Sequence, residues 1–209
     1  MMTALIMKDF MTIQRQFKSQ AIFLIIIVIM SVLMQQSTIL LFFIVFIVTI
    51  QAITALTYDE LCNWDKYANT LPISKGDIVL SKYILSIMLI IIGLGFALPF
   101  VLLINRFTNH IATTNFFLTF CLIVTAAFCM LAMLLPIYIK FGSIKGRIVL
   151  IALCFIPSFL IGVLDEYVSN FLVTLSKLQD FSYFAPFVGL FILWLSSLIS
   201  TGIYKRKDF

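Results

Sequence analysis

The sequence contains few charged residues. Only 11% of its 209 residues are Asp, Glu, Lys or Arg, whereas 63% are hydrophobic and the mean hydropathy is +1.16. Soluble domains carry about 25% charged residues, and a soluble fold of this length has too little interior to bury so much apolar surface. Lipid must therefore surround most of the chain, and we expect an all-α integral membrane protein.

Several residue types that carry chemistry are absent or isolated. The chain has one histidine, and its four cysteines form no C-x-x-C pair, so we expect no metal site and no bound cofactor. No ionisable residue lies near the middle of an apolar run, which argues against ion-coupled transport and against an ion pore. The segment "GSIKGR" at residues 142–147 fails the P-loop pattern. An enzyme is therefore not expected, and an intramembrane hydrolase is the weakest hypothesis because no nucleophile–base pair is visible.

Charge-free runs divide the chain into membrane spans. The first run, residues 21–58, would be about 57 Å long as one helix, nearly twice the ~30 Å hydrocarbon core of a bilayer. Its polar interruption at residues 35–38 predicts a tight helical hairpin. Each later run fits one helix. The six predicted spans are approximately 20–36, 38–57, 82–104, 115–139, 147–164 and 183–204.

The basic residues orient these spans. With six spans, twelve Lys and Arg residues lie on the side of both termini and only two, Arg106 and Lys177, lie on the other side. This asymmetry predicts that the termini are cytoplasmic. Residues 165–182 are too polar to span and are expected to form an extracellular helix. The net charge of +5 does not indicate nucleic acid binding, because the basic residues form no continuous stripe.

The largest predicted cytoplasmic loop covers residues 58–81. Asp59 is a candidate helix cap, Pro72 ends that helix, and Ser74 with Asp77 resembles a second helix start. One face of the first helix is apolar and holds Leu61, Trp64, Ala68 and Leu71. Such a helix lies on lipid headgroups or docks on a protein. Four acidic residues in the loop favour docking, since a helix for an anionic leaflet would be mostly basic.

The N-terminal residues 1–19 predict a second amphipathic helix. Its apolar face holds Met2, Ile6, Phe10, Ile13 and Phe17, and its basic side chains Lys8, Arg15 and Lys18 are expected on the opposite face. We expect this helix to lie in the cytoplasmic membrane interface and to lead into the first span.

The stretch "YDELCNWDKYANTLPISKGDIVLSKY" at residues 58–83 resembles the loop between spans two and three of small six-span ABC-2-type permeases of low-GC Gram-positive bacteria. The predicted layout and the N-terminal helix agree with that family over essentially the whole chain. Within the family, the Phe- and Ile-rich composition and the short length are most similar to a membrane subunit of the staphylococcal exporter of phenol-soluble modulins, which are amphipathic peptides. Bacitracin-type and lantibiotic-type peptide exporters are also similar.

The resemblance implies a function and partners. Two permease chains, identical or different, would pair around a peptide path in the bacterial cell membrane, and separate P-loop ATPase subunits would bind ATP and Mg²⁺. Residues 60–71 would form the coupling helix that seats in the ATPase, and the N-terminal helix would be the elbow. The coupling helix would make polar contacts through Asp59, Glu60, Asp65 and Lys66 and apolar contacts through Leu61, Trp64 and Leu71. The alternative is an immunity or scaffold membrane protein that binds toxic peptides without transporting them.

Overall fold

The computed structural model describes residues 2–14, 16–108, 113–163 and 184–207. These residues form helices and no strands, so the all-α class is confirmed. The helices are α1 (Met2–Gln14), α2 (Phe17–Leu33), α3 (Ser37–Leu61), α4 (Trp64–Ala68), α5 (Lys75–Thr108), α6 (Thr113–Val163) and α7 (Ala185–Lys205).

Four helical segments in the described part of the chain are long and apolar enough to cross a membrane. They are Ser37–Leu61, Lys75–Ile104, Phe116–Leu153 and Ala185–Lys205, and a shorter apolar helix covers Gln20–Leu33. These segments support a multi-pass membrane protein. Six spans and cytoplasmic termini stay predictions, and the expected extracellular helix at residues 165–182 lies outside the described residues.

The helical hairpin between α2 and α3 turns at the polar interruption, as the sequence predicts. Helix α2 ends at Leu33, α3 begins at Ser37, and the two helices pack against each other. Gln35 adopts a left-handed conformation with φ 52°, which reverses the chain within three residues. Most of the large side chains of α2, among them Ile22, Phe23 and Leu33, are exposed, as expected of a helix at the lipid-facing edge.

Helix α6 is broken at Gly142, where φ is 80° and ψ is 178°. This region of backbone space is essentially restricted to glycine. The break separates residues 113–141 from residues 143–163, and these arms are about 43 and 32 Å long, so each is long enough to cross the ~30 Å hydrocarbon core of a bilayer. The arms lie close beside the break, because a Cβ on Gly146 would come within 2.6 Å of the Tyr138 ring. The predicted spans 115–139 and 147–164 correspond to these two arms.

The core forms where α3 packs on α5 and α6, and where α6 packs on α7. Its buried side chains are mostly aliphatic, including Leu40, Leu85, Leu131 and Leu135. Hydroxyl groups connect the helices within this apolar core. The Tyr83 hydroxyl lies 2.7 Å from Ser200 Oγ and 2.8 Å from Ser196 Oγ, and Ser196 also donates to the Ala132 carbonyl oxygen at 2.6 Å. Such bonds join membrane helices that the hydrophobic effect alone would not hold together.

The segment between α3 and α5 departs from the predicted single helix at residues 60–71. Helix α3 continues through Asp59 to Leu61, so Asp59 does not cap a helix start. Asn63 then adopts a left-handed conformation, with φ 51° and ψ 34°, and α4 is only five residues long. Asn tolerates this conformation better than most residues, and the sequence pattern did not reveal that the chain uses it. The second predicted start is confirmed, since Ser74 Oγ accepts a hydrogen bond from the Asp77 amide at 3.0 Å.

Helix α1 forms as predicted, but it is rotated relative to its expected face. Its buried residues are Leu5, Asp9 and Ile13. Ile6 and Phe10 are partly buried against the core. Phe17 belongs to α2, and the placement of its side chain is outside the described structure. The rotation turns Asp9 inward, towards α5.

Candidate functional site

Several helix ends meet at one end of the bundle, which we call the loop-side end. It consists of α1, the last turn of α3, α4, the first two turns of α5, the break in α6 and the end of α7. Contacts across it include Lys75 Nζ to the Lys205 carbonyl oxygen at 3.5 Å and the Tyr204 hydroxyl to Asp65 Oδ1 at 3.4 Å. The residues predicted for the coupling loop all belong to this end.

Four charged side chains from three helices form a buried ion cluster, which consists of Lys8, Asp9, Asp59 and Lys82. Lys82 Nζ lies 2.6 Å from Asp9 Oδ2 and also contacts Asp59 Oδ2. Lys8 Nζ lies 2.6 Å from Asp59 Oδ1 and 2.9 Å from Asp9 Oδ1. The cluster carries no net charge when all four groups are ionised, which is the condition for keeping charges in a low-dielectric interior.

Burial differs among the members of the ion cluster. The side chains of Asp9 and Lys82 are 1% and 7% exposed, that of Asp59 is 10% exposed, and that of Lys8 is 27% exposed. Lys8, which the sequence predicts on the face opposite the apolar one, is held inward by two carboxylates. Sequence reasoning also missed Asp9 and the role of Lys82. The sequence contained one signal of the ion cluster, because two carboxylates and a lysine lie next to apolar runs, where they are poorly solvated and need partners.

The ion cluster continues into α4 through a cation–π contact. Lys8 Nζ lies 4.0 Å from the centre of the Trp64 ring, and the Trp64 ring in turn lies 5.3 Å from that of Tyr67. A second contact joins the start of α2 to α3, since Gln16 Nε2 donates to the Tyr58 hydroxyl at 2.6 Å. Helix α4 is thereby attached to α1, and α1 to the spans α3 and α5.

Glu60 connects α3 to the break in α6. Its Oε2 atom accepts a hydrogen bond from the Ser143 amide at 2.5 Å and a second from the Ser143 hydroxyl. Ser143 is the first residue of the second arm, so the carboxylate lies at the positive end of that arm. Gly142 leaves room for it, because a Cβ there would come within 2.7 Å of Glu60 Oε1.

The remaining predicted coupling residues divide into an inner and an outer set. Asp65 is partly buried beside Tyr204, and burial raises the pKa of its carboxyl although Lys207 acts in the opposite direction. Leu71 is also partly buried. Leu61 and Lys66 point outward, with Leu61 71% exposed. Tyr67, which was not among the predicted residues, is also exposed, at 56%. The structure thus gathers the predicted residues at one end but turns only some of them outward.

The model of the ABC-2 family transporter proteins matches residues 4–205, which is nearly the whole chain. The chain belongs to this family. As an ABC-2 protein it is a membrane-spanning permease subunit of an ABC transporter and not the catalytic subunit. No curated protein and no solved structure gives a significant match. In this ABC-2 permease, the ends of several helices and the longest described loop come together at the loop-side end.

Proposed function

We propose that this ABC-2 permease belongs to an exporter that moves amphipathic, antimicrobial or cytolytic peptides out of a bacterial cell. A separate P-loop ATPase would bind Mg²⁺ and ATP and drive the cycle, and a second permease chain would complete the path. We infer an exporter of the phenol-soluble-modulin type. We propose that the ATPase acts on the spans through α4. The Lys8–Trp64 contact supports this, because it joins α4 to the ion cluster and so to the spans.

The outer side of the α3–α4 corner suits docking on the ATPase. It presents Leu61, Lys66 and Tyr67, and aromatic side chains such as Tyr67 are enriched at interface centres, while charged ones such as Lys66 suit the polar rim. The inner side holds Trp64 against Lys8. A partner that displaced α4 would therefore move α1, α3 and α5 through contacts that are already formed.

The geometry at the α6 break supports six spans with cytoplasmic termini. Lys140, Lys145 and Arg147 flank the break, and Glu60 contacts Ser143 beside it. The break and the α3–α5 loop therefore lie at the same end, and both carry basic residues. This is the pattern of a cytoplasmic face, and two arms that each cross the membrane bring the number of spans to six.

The apolar character of the spans supports an amphipathic substrate. In the described spans the Asp, Glu, Lys and Arg residues lie at the helix ends or beside the α6 break. Side chains of this kind offer no counter-charge to a small ion and favour molecules that already partition into the membrane. Amphipathic peptides satisfy that condition.

Co-purification tests the docking surface. The double variant Leu61→Glu with Lys66→Glu changes only outward-facing side chains, and Arg206→Glu is the control because it reverses another exposed charge at the same end. We expect a P-loop ATPase, identified by mass spectrometry, to co-purify with the natural chain and with Arg206→Glu. The double variant should recover at least about fivefold less, as expected for loss of a central interface residue. Equal recovery from all three chains would contradict the docking assignment.

Substrate-stimulated ATP hydrolysis tests the substrate class. We expect an amphipathic helical peptide to stimulate ATP hydrolysis by the reconstituted complex and to accumulate inside inverted vesicles. A peptide of the same composition in scrambled order, which has no apolar face, should do neither. Protection of cells against the peptide that persists with a catalytically inactive ATPase would instead support a peptide-binding immunity protein.

A further inference from the structure

The second arm of α6, residues 143–163, turns a row of large apolar side chains away from the rest of the chain. Four of them are more than half exposed and share one face of the helix, because they are spaced by four, three and four residues. We call this row the α6 stripe, and its members are Ile144, Ile148, Ile151 and Phe155. The opposite face packs on the first arm through Gly146 and Leu150, which lie against Tyr138.

The α6 stripe has the length of one membrane leaflet. It begins beside the break and continues for eleven residues, from Ile144 to Phe155, which is about 17 Å along the helix axis. Half of the ~30 Å hydrocarbon core is about 15 Å. A protein that docks on the loop-side surface reaches only the first turn of the stripe, whereas an acyl chain of the loop-side leaflet can follow all of it.

Three basic side chains surround the end of the stripe at the break. Lys145 and Arg147 are exposed, and at 3.6 residues per turn they project on either side of the stripe. Lys140 belongs to the first arm, and its Nζ lies 5.0 Å from the centre of the Phe141 ring. Lys145 Nζ lies 5.8 Å from the same ring centre. The break therefore brings cations from both arms together.

These cations have no counter-charge in the described part of the chain. The ion pairs found there are those of the ion cluster. The nearby carboxylates are engaged elsewhere, since Glu60 accepts hydrogen bonds from Ser143 and Asp65 lies beside Tyr204. The loop-side end thus turns its acidic groups inward and leaves the break basic. Neighbouring cations repel each other, and an anion between them would relieve that repulsion.

From these observations we infer that the α6 break binds an anionic phospholipid of the loop-side leaflet. The lipid phosphate lies between Lys140, Lys145 and Arg147, and one acyl chain lies along the α6 stripe. Basic clusters at the ends of membrane helices attract anionic headgroups in this way. The site goes beyond peptide export. It rests on the six-span arrangement proposed above, in which both arms cross the membrane, but its test uses neither a peptide nor the ATPase.

Photolabelling of the full-length chain, reconstituted in phosphatidylcholine vesicles, tests the site. The probe is phosphatidylglycerol with a diazirine in the middle of one acyl chain. The matched probe is phosphatidylcholine with the same acyl chain, whose headgroup has no net charge. We expect phosphatidylglycerol to label the α6 stripe at least about fivefold more, which is the preference that one basic side chain gives for an anionic lipid. Salt at about 1 M, where the Debye length is about 3 Å, should reduce this preference.

Two double variants test the role of the cations. Lys145→Gln with Arg147→Gln should lower the preference for phosphatidylglycerol to less than about twofold. Lys66→Gln with Arg106→Gln is the matched control, because it removes one exposed lysine and one exposed arginine away from the stripe, and it should retain the preference. Labelling by phosphatidylcholine should be the same in all three chains, since the stripe itself is unchanged.

Three results would overturn the proposal. The first is equal labelling of the stripe by the two probes in the natural chain, and the second is a preference that survives the loss of Lys145 and Arg147. The third is a stripe that neither probe labels. In that case, a disulfide between two Ile148→Cys chains, whose natural cysteines are replaced by alanine, would show that a second permease covers the stripe. Without that disulfide, the result would contradict the six-span arrangement as well.

Discussion

At the scale of single residues, the structure predicts that substitution of Lys82 has the largest effect on the free energy of unfolding. It is the shared cation of two carboxylates, those of Asp9 and Asp59, and all three side chains are buried. Removal of one partner from a buried ion pair leaves an uncompensated charge, which costs more than the pair itself contributes. The cluster therefore specifies which helices meet more than it adds to stability.

We predict that Lys82→Met lowers the free energy of unfolding by about 3–5 kcal/mol, measured by unfolding of the purified chain in mixed detergent micelles. Lys66→Met removes an exposed lysine and should change it by less than about 0.5 kcal/mol. The double variant Lys82→Met with Asp9→Asn restores neutrality between Lys8 and Asp59, so it should recover part of the loss. A loss equal in the single and double variants would contradict the assignment of the cluster.

At the scale of the elements, the α6 break depends on a glycine that no other residue replaces without strain. Gly142 has φ 80° and lies against Glu60. We predict that Gly142→Ala lowers the free energy of unfolding by about 1–3 kcal/mol. Gly202→Ala is the control, since a Cβ there meets nothing within 4 Å, and it should be neutral or slightly stabilising. The same unfolding measurement compares them, and a neutral Gly142→Ala would show that the break tolerates a side chain.

Helix α4 is the second element whose behaviour can be predicted. We expect Trp64→Ala to insert normally but to lower peptide-stimulated ATP hydrolysis of the assembled complex at least about fivefold, because the contact between α4 and Lys8 is lost. Trp194→Ala removes the other tryptophan, which is 56% exposed on α7, and should retain the stimulation. Equal stimulation in both variants would mean that coupling bypasses α4.

The elements also differ in how far the sequence predicted them. The hairpin turn and the Ser74 cap depend on neighbours in the chain, so local patterns located them. The ion cluster joins residues that are 73 positions apart in one pair and 23 in another. Charge periodicity along one helix contains no information on such pairings. The left-handed Asn63 was missed for a different reason, since many asparagines adopt ordinary conformations and only the surrounding contacts select this one.

At the scale of the whole molecule, the six-span arrangement predicts which side of the membrane each turn faces. Cys62 is exposed at the loop-side end, and Gln35 lies in the opposite turn of the α2–α3 hairpin. In a chain whose other cysteines are replaced by alanine, a membrane-impermeant maleimide should label Cys62 only in inverted vesicles. A chain with Gln35→Cys as its only cysteine should be labelled only in intact cells. Labelling of both positions from one side would exclude a spanning α3, which lies between them, and would contradict the six-span arrangement.

The ion cluster also has a consequence for biogenesis. Asp9 is synthesised 73 residues before its partner Lys82, and translation at about 5–20 residues per second makes that interval roughly 4–15 s. During this time Asp9 has no buried cation from α5, and a bare carboxylate is not stable in hydrocarbon. Helix α1 must therefore stay at the aqueous surface, or under the protection of the insertion machinery, until α5 has emerged. Assembly of α1 is thus a late event, although α1 precedes the other described helices in the chain.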